Sequence, residues 1–144
     1  MLSLAWGQKL REAGLDWQPQ LHDFFGIPDR SMDDRVFTLS DMSIEIEILN
    51  GWPAITFNGS VEWALDYILQ ADAVWLPTET QLRELLEKQL VSGRSPSIQL
   101  QVTRDGYCCL VSPDGQEPFA FTAPAASEAY AAAVMHFLLH PQEG

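Results

Sequence analysis

Apolar and polar residues alternate most regularly between residues 44 and 57, where the chain reads IEIEILNGWPAITF. Alternation with a period of two is typical of a strand that buries one of its faces. Asn50-Gly51 interrupts the alternation with the residue pair that a two-residue type I′ turn prefers. The segment is therefore predicted to form a β-hairpin, and counting outward from the turn places Ile44 opposite Phe57.

Pro53 lies within the second strand of this hairpin, Trp52 to Phe57. Proline has no backbone N–H to donate to a ladder, so sheets accept it on edge strands, at strand ends or at bulges. We therefore expect Trp52 to Phe57 to be an edge strand. A strand of a protein partner, or a second copy of the chain, could pair there.

A second pattern, with a period of about 3.6 residues, predicts helices with recognisable ends. Ser3 can cap the first helix and Gly14 can end it. Thr78 and Gln81 form a capping box at the start of a leucine-rich helix that Gly93 ends. The predicted helices cover residues 3–14, about 60–69, 78–93 and about 124–140.

The remaining apolar runs predict short strands at residues 23–27, 36–39, 74–76, 98–103, 107–112 and 119–121. This order predicts an α+β fold, in which an antiparallel sheet packs with helices and a β-β-β-α unit follows. Residues 92–97 combine serine, glycine and proline, which indicates a boundary. We expect an N-terminal α+β part, 1–93, and a C-terminal β-β-β-α part, 97–144, docked into one compact unit.

The charge of the chain bears on its partners. Twenty acidic and eight basic residues give a formal charge of -12, which repels phosphate backbones, so we expect no direct binding to nucleic acid. The N-terminus lacks the apolar core of a signal peptide, and 18 consecutive apolar residues occur nowhere. We therefore expect a cytoplasmic protein without a membrane segment. An acidic surface that mimics DNA is an alternative interpretation of the charge.

Polar residues that could form a site concentrate around a charged loop, and this candidate cluster consists of His22, Asp23, Asp29, Asp33 and Asp34. It could belong to a small enzyme or a ligand-binding protein, in a cleft lined by Trp17, Phe24 and Trp75. The aspartates do not follow the D-x-[DN]-x-[DN]-G order of a calcium loop. No metal site is predicted from them.

Other reactive residues have simpler explanations. His136 and His140 have the spacing of zinc-protease histidines, but Phe137 occupies the position of the motif glutamate. Cys108 and Cys109 are adjacent in a strand, where their side chains point to opposite faces, so they are interpreted as reduced core thiols. The chain contains neither nucleotide-binding loops nor a G-x-S-x-G motif, so we predict no catalytic residues and no cofactor.

Three motifs, IPDRSMDDRVFTLSDM, FNGSVEWALD and WLPTETQLRELLE, resemble those of a set of short bacterial proteins of unknown function, in the same order. This resemblance covers about residues 10 to 90. The C-terminal strands, with FTAP and the helix start EAYAAA at Glu128, are weakly similar to the small ABA-sandwich domain of phage proteins. These resemblances imply an α+β fold and an origin in a phage or another mobile element, and they imply no catalytic residues.

Together these patterns favour a non-catalytic interaction or accessory module. The missing catalytic signatures and the predicted edge strand support this interpretation. A small enzyme or ligand binder with a site near the aspartate-rich loop, and an acidic DNA mimic, are the two alternatives.

Overall fold

The computed structural model describes residues 1–28, 36–39, 44–49, 52–57, 67–69 and 72–141, with backbone alone for 44–49, 52–57 and 67–69. Its helices are α1 (Leu4–Glu12), α2 (Glu79–Gln89) and α3 (Ala126–Leu139). Its strands are β1 (Phe24–Gly26), β2 (Phe37–Thr38), β3 (Ile44–Leu49), β4 (Trp52–Phe57), β5 (Tyr67–Leu69), β6 (Val74–Trp75), β7 (Ser97–Thr103), β8 (Gly106–Ser112) and β9 (Phe119–Ala123). All strand pairs in the three sheets are antiparallel, which confirms the predicted α+β class.

The chain divides into two compact units. The first unit combines Met1–Asp16 with Pro77–Gly144, and the second unit is Trp17–Leu76. Helices α1 and α2 therefore belong with the C-terminal strands, because they pack against α3. The boundaries of these units differ from those of the predicted parts, 1–93 and 97–144.

The first unit is built around α3. The sheet β7-β8-β9 packs against one side of this helix through β8 and β9, while α1 and α2 pack against it elsewhere. Because neighbours cover several sides, α3 buries small residues in successive turns, namely Ala129, Ala131, Ala133 and Val134. The predicted order of three strands followed by a helix is confirmed. No helix in the described part of the chain is long and apolar enough to cross a membrane.

Local sequence signals set both ends of α1 and the start of α2. The Ser3 hydroxyl accepts a hydrogen bond from the Trp6 N–H at 3.3 Å, and Gly14 has a φ of 106° after α1. At α2 the Thr78 hydroxyl accepts from the Gln81 N–H at 3.2 Å. The Gln81 side chain in turn accepts from the Thr78 N–H at 2.9 Å. The predicted capping box is therefore confirmed.

The second unit contains two three-stranded sheets, ordered β2-β1-β6 and β3-β4-β5. The β3–β4 hairpin has the predicted register, with Ile44 opposite Phe57 and Leu49 opposite Trp52. A separate apolar core lies beside the first sheet and consists of Trp17, Phe25, Ile27, Leu39 and Ala73, with Phe37 and Trp75 packed against it.

The prediction that Trp52 to Phe57 is an edge strand is wrong, because β4 is the middle strand of its sheet. Its pairing with β5 covers Ala54 to Thr56, so Pro53 lies one residue outside that ladder. A proline at this position removes no N–H that the described ladder uses. The helix predicted over about 60–69 is also wrong at its end, since Tyr67–Leu69 is a strand. The rest of that helix prediction lies outside the described residues.

Candidate functional site

The predicted polar cluster is described in part. Asp29, Asp33 and Asp34 lie outside the described residues, whereas His22 and Asp23 immediately precede β1. The backbone of both residues is bound to Leu39 after β2. The His22 N–H donates to the Leu39 carbonyl at 2.7 Å, and the Asp23 carbonyl accepts from the Leu39 N–H at 2.9 Å.

The Asp23 carboxylate is buried, and the residue is 3% exposed. Its Oδ2 atom accepts hydrogen bonds from the indole Nε1–H of Trp17 at 2.9 Å and from the Gln20 N–H at 3.0 Å. Buried carboxylates are stable where such donors replace water. The arrangement fastens the segment before β1 to the core, which is a structural role.

The aromatic residues expected to line a cleft are largely core residues. Trp17 is buried, with its ring centroid 5.8 Å from that of Phe25, and Phe25 stacks on Phe37 at 5.5 Å. Trp75 packs against the same cluster, while Phe24 is half-buried. Close aromatic pairs of this kind stabilise a core.

Replacing Asp23 by alanine is expected to lower the free energy of unfolding by about 2–4 kcal/mol, because the buried Trp17 indole N–H and the partly buried Gln20 N–H lose their acceptor. The matched variant Trp17→Phe removes one donor and keeps an aromatic ring beside Phe25, so its loss is expected to be about 1–2 kcal/mol. Urea unfolding followed by circular dichroism measures both losses. If the Asp23→Ala variant is as stable as the wild type, the carboxylate does not stabilise the fold and becomes a candidate functional group again.

Cys108 and Cys109 are free and buried, as predicted. Cys109 lies in the core between β8 and α3, opposite Leu100 on one neighbouring strand and Phe121 on the other. Burial, and then the neighbouring Cys108, raise the pKa of the Cys109 thiol to about 11. A thiol with this pKa stays protonated at neutral pH and is a poor nucleophile.

His136 belongs to an aromatic cluster where β9 packs against the end of α3. Its ring centroid lies 5.0 Å from Phe119, 5.5 Å from Phe121 and 4.9 Å from His140. Burial, and then His140, lower the pKa of His136 below its usual value. Within the described residues no group of three or more His, Cys, Asp or Glu side chains could hold a metal ion. His136 packs with the rings of Phe119 and Phe121, and His140 lies beside His136 at the end of α3.

The outer side of β7 has backbone groups available for pairing. β7 is an edge strand of its sheet, and no described strand pairs with its outer side. Thr103 lies opposite Gly106 across a two-residue turn, which makes them a hydrogen-bonded pair. Because such pairs alternate along a ladder, the N–H and C=O groups of Ile98, Leu100 and Val102 point away from β8. We call these outward groups the β7 edge.

The β7 edge lacks the usual protection of an edge strand. Ser97–Thr103 reads SIQLQVT and contains no charged residue, and Val102 is 79% exposed. Natural edge strands are commonly blocked by charges, prolines, bulges or short length. The opposite edge strand, β9, has five residues and lies between Pro118 and Pro124. β7 is therefore the better candidate for pairing.

The chain matches no protein-family profile, no curated protein and no solved structure. The resemblances to bacterial and phage proteins accordingly stay predictions. Four features identify the β7 edge as the candidate site. β7 lies at the edge of its sheet, half of its backbone groups point away from β8, and its residues are largely exposed and carry no charge.

Sequence reasoning identified β7 as a strand and missed it as a site. The alternation of apolar and polar residues in SIQLQVT predicts a strand wherever it lies in the sheet. Only the order β7-β8-β9 places this strand at an edge. The lack of charged residues in a chain of charge -12 was the signal that could have identified the β7 edge.

Proposed function

We propose that this chain is a non-catalytic interaction module in which the β7 edge accepts an extended strand of a protein partner. The observation that carries the proposal is the uncharged outer side of a seven-residue strand, with which no described strand pairs. In strand addition, main-chain hydrogen bonds supply affinity, and neighbouring side-chain contacts supply specificity.

The β7 edge has the groups that such pairing requires. Three residues, Ile98, Leu100 and Val102, each direct one donor and one acceptor outward, so an antiparallel strand can form up to six hydrogen bonds. The exposed Val102 side chain adds an apolar surface next to the partner strand. Association would remove this surface from water and satisfy the outward groups within a continuous sheet.

The roles of the reactive side chains in the described residues support an interaction module over an enzyme. The Asp23 carboxylate binds donors of its own unit, and the Cys109 thiol is buried with a raised pKa. Both groups stabilise the folded chain. The β7 edge, by contrast, has hydrogen-bonding groups that the described sheet leaves unused.

The proposal is tested with Val102→Pro, which removes one outward N–H and places a ring at the edge. The β7–β8 ladder does not use this N–H and the side chain is exposed, so the variant is expected to fold. Val102→Thr is the matched control, since it keeps both the N–H and the β-branched shape. Tagged wild-type, Val102→Pro and Val102→Thr chains are used to capture proteins from lysates of the source cells.

Quantitative mass spectrometry then measures each captured protein. We expect a partner, including an untagged copy of the chain, to be captured equally by wild type and Val102→Thr and at least about tenfold less by Val102→Pro, since a hydrogen bond is lost and a clash is added. A set of captured proteins that is the same for all three chains would contradict the proposed function.

A further inference from the structure

We propose that the strand bound at the β7 edge is β7 of a second copy of this chain, paired antiparallel about a two-fold axis that passes midway between the Leu100 residues of the two copies. This inference rests on the proposed function, because it names the partner of the same edge. Three features support it: the sequence of β7, the outward direction of the backbone groups of Ile98, Leu100 and Val102, and the exposure of Val102.

The sequence of β7 is nearly symmetric about its centre. Read from either end, SIQLQVT gives a hydroxyl residue, a β-branched aliphatic residue, a glutamine and then the central Leu100. A two-fold axis midway between the two copies of Leu100 therefore places each side chain opposite one of the same type. Closed dimers use isologous contacts of this kind, in which one surface is complementary to itself.

The backbone groups that point outward from β7 are at the positions that this axis requires. Pairing about Leu100 sets Ile98 opposite Val102 of the second copy, and Leu100 opposite its own counterpart. All of these residues direct their N–H and C=O groups outward from β8. They therefore meet as hydrogen-bonded pairs, and the two sheets join into one six-stranded antiparallel sheet. An axis shifted by half a residue would bring inward-directed groups to the interface.

The side chains also agree with this register. The exposed Val102 would pack beside Ile98 of the second copy, and each copy provides this contact once. Gln99 would lie opposite Gln101 of the second copy in the closer, non-hydrogen-bonded type of pair. Since β7 has no charged residue, no like charges meet across the interface, although each chain has a formal charge of -12.

A single pair of seven-residue strands makes a small interface, so the dimer is expected to be transient and to depend on concentration. Sedimentation equilibrium of the full chain over a wide concentration range measures this directly. We expect the average mass to rise above the monomer value of 16.1 kDa for wild type and Val102→Thr. Val102→Pro is expected to stay at the monomer value.

The register is tested with two double variants that alter the same exposed positions. In Q99K/Q101E each lysine lies opposite a glutamate of the second copy, whereas in Q99K/Q101K lysine lies opposite lysine. The second variant reduces the formal charge from -12 to -10, which weakens the general repulsion between chains. Cross-strand pairing nevertheless predicts that Q99K/Q101K dimerises about tenfold more weakly than Q99K/Q101E.

Equal dimerisation of the two double variants, or tighter dimerisation of Q99K/Q101K, would overturn the proposed register. A wild-type chain that stays monomeric at every concentration would overturn the inference of a second copy. Capture of another protein that is lost only with Val102→Pro would then still support the proposed function. Absence of both dimerisation and capture would reject the two proposals together.

Discussion

Gly106→Ala is expected to lower the free energy of unfolding by about 3–5 kcal/mol. Gly106 begins β8 with a φ of 145°, a backbone conformation that residues with a Cβ atom rarely adopt. An added Cβ would also lie 2.4 Å from the Ala123 carbonyl oxygen and 3.0 Å from the Pro124 Cα. Both contacts are with backbone at the end of β9, so relief of the clash requires the β8–β9 pairing to shift. Urea unfolding of the full chain measures the loss.

Gly14→Ala is the matched control for this prediction. Gly14 also has a positive φ, 106°, but an added Cβ would meet no atom within 4 Å. Its loss is therefore expected to come from backbone strain alone, at about 1–2 kcal/mol. Similar losses in both variants would mean that the clash of the added Cβ with the backbone beside Gly106 does not destabilise the chain.

The features that the sequence predicted correctly depend on residues close together in the chain. The Thr78–Gln81 capping box and the register of the β3–β4 hairpin each involve residues close together in the chain. Turn and cap chemistry is set by local backbone geometry, so it can be read without knowledge of the tertiary fold. The register of the β3–β4 hairpin then follows by counting from its turn.

The predictions that were wrong depend on strand neighbours. Pro53 indicated an edge because proline removes a donor, but whether this matters depends on where β5 ends on β4. Tyr67–Leu69 continued a helical pattern and is nevertheless a strand, because pairing with β4 satisfies its backbone. Tertiary pairing can override such a short local pattern.

The candidate site shows the same limit. Asp23 was assigned to a candidate polar cluster because it lies near the charged loop, but its carboxylate accepts a hydrogen bond from the indole of Trp17, which the spacing of charges does not reveal. The near-symmetry of SIQLQVT is visible in the sequence. Its meaning becomes clear only from the strand order, in which no described strand pairs with the outer side of β7, and from the register that shows which backbone groups of β7 point outward.

Leu86→Ala tests the core that joins the helices of the first unit. Leu86 is fully buried in α2, which packs against α3. Removing its side chain is expected to cost about 3–5 kcal/mol, because buried apolar contact is lost and a cavity remains. Chemical unfolding gives the loss, and α2 is expected to be among the elements that lose amide protection against hydrogen exchange, since its packing on α3 is weakened.

Leu139→Ala makes the same chemical change at the last residue of α3, where the side chain is 57% exposed. Little apolar surface is returned to water there and no closed cavity forms, so the expected loss is below about 1 kcal/mol. The difference between these two leucines measures how much stability comes from packing between α2 and α3. Equal losses would show that the burial of Leu86 against α3 contributes no more to stability than an exposed leucine does.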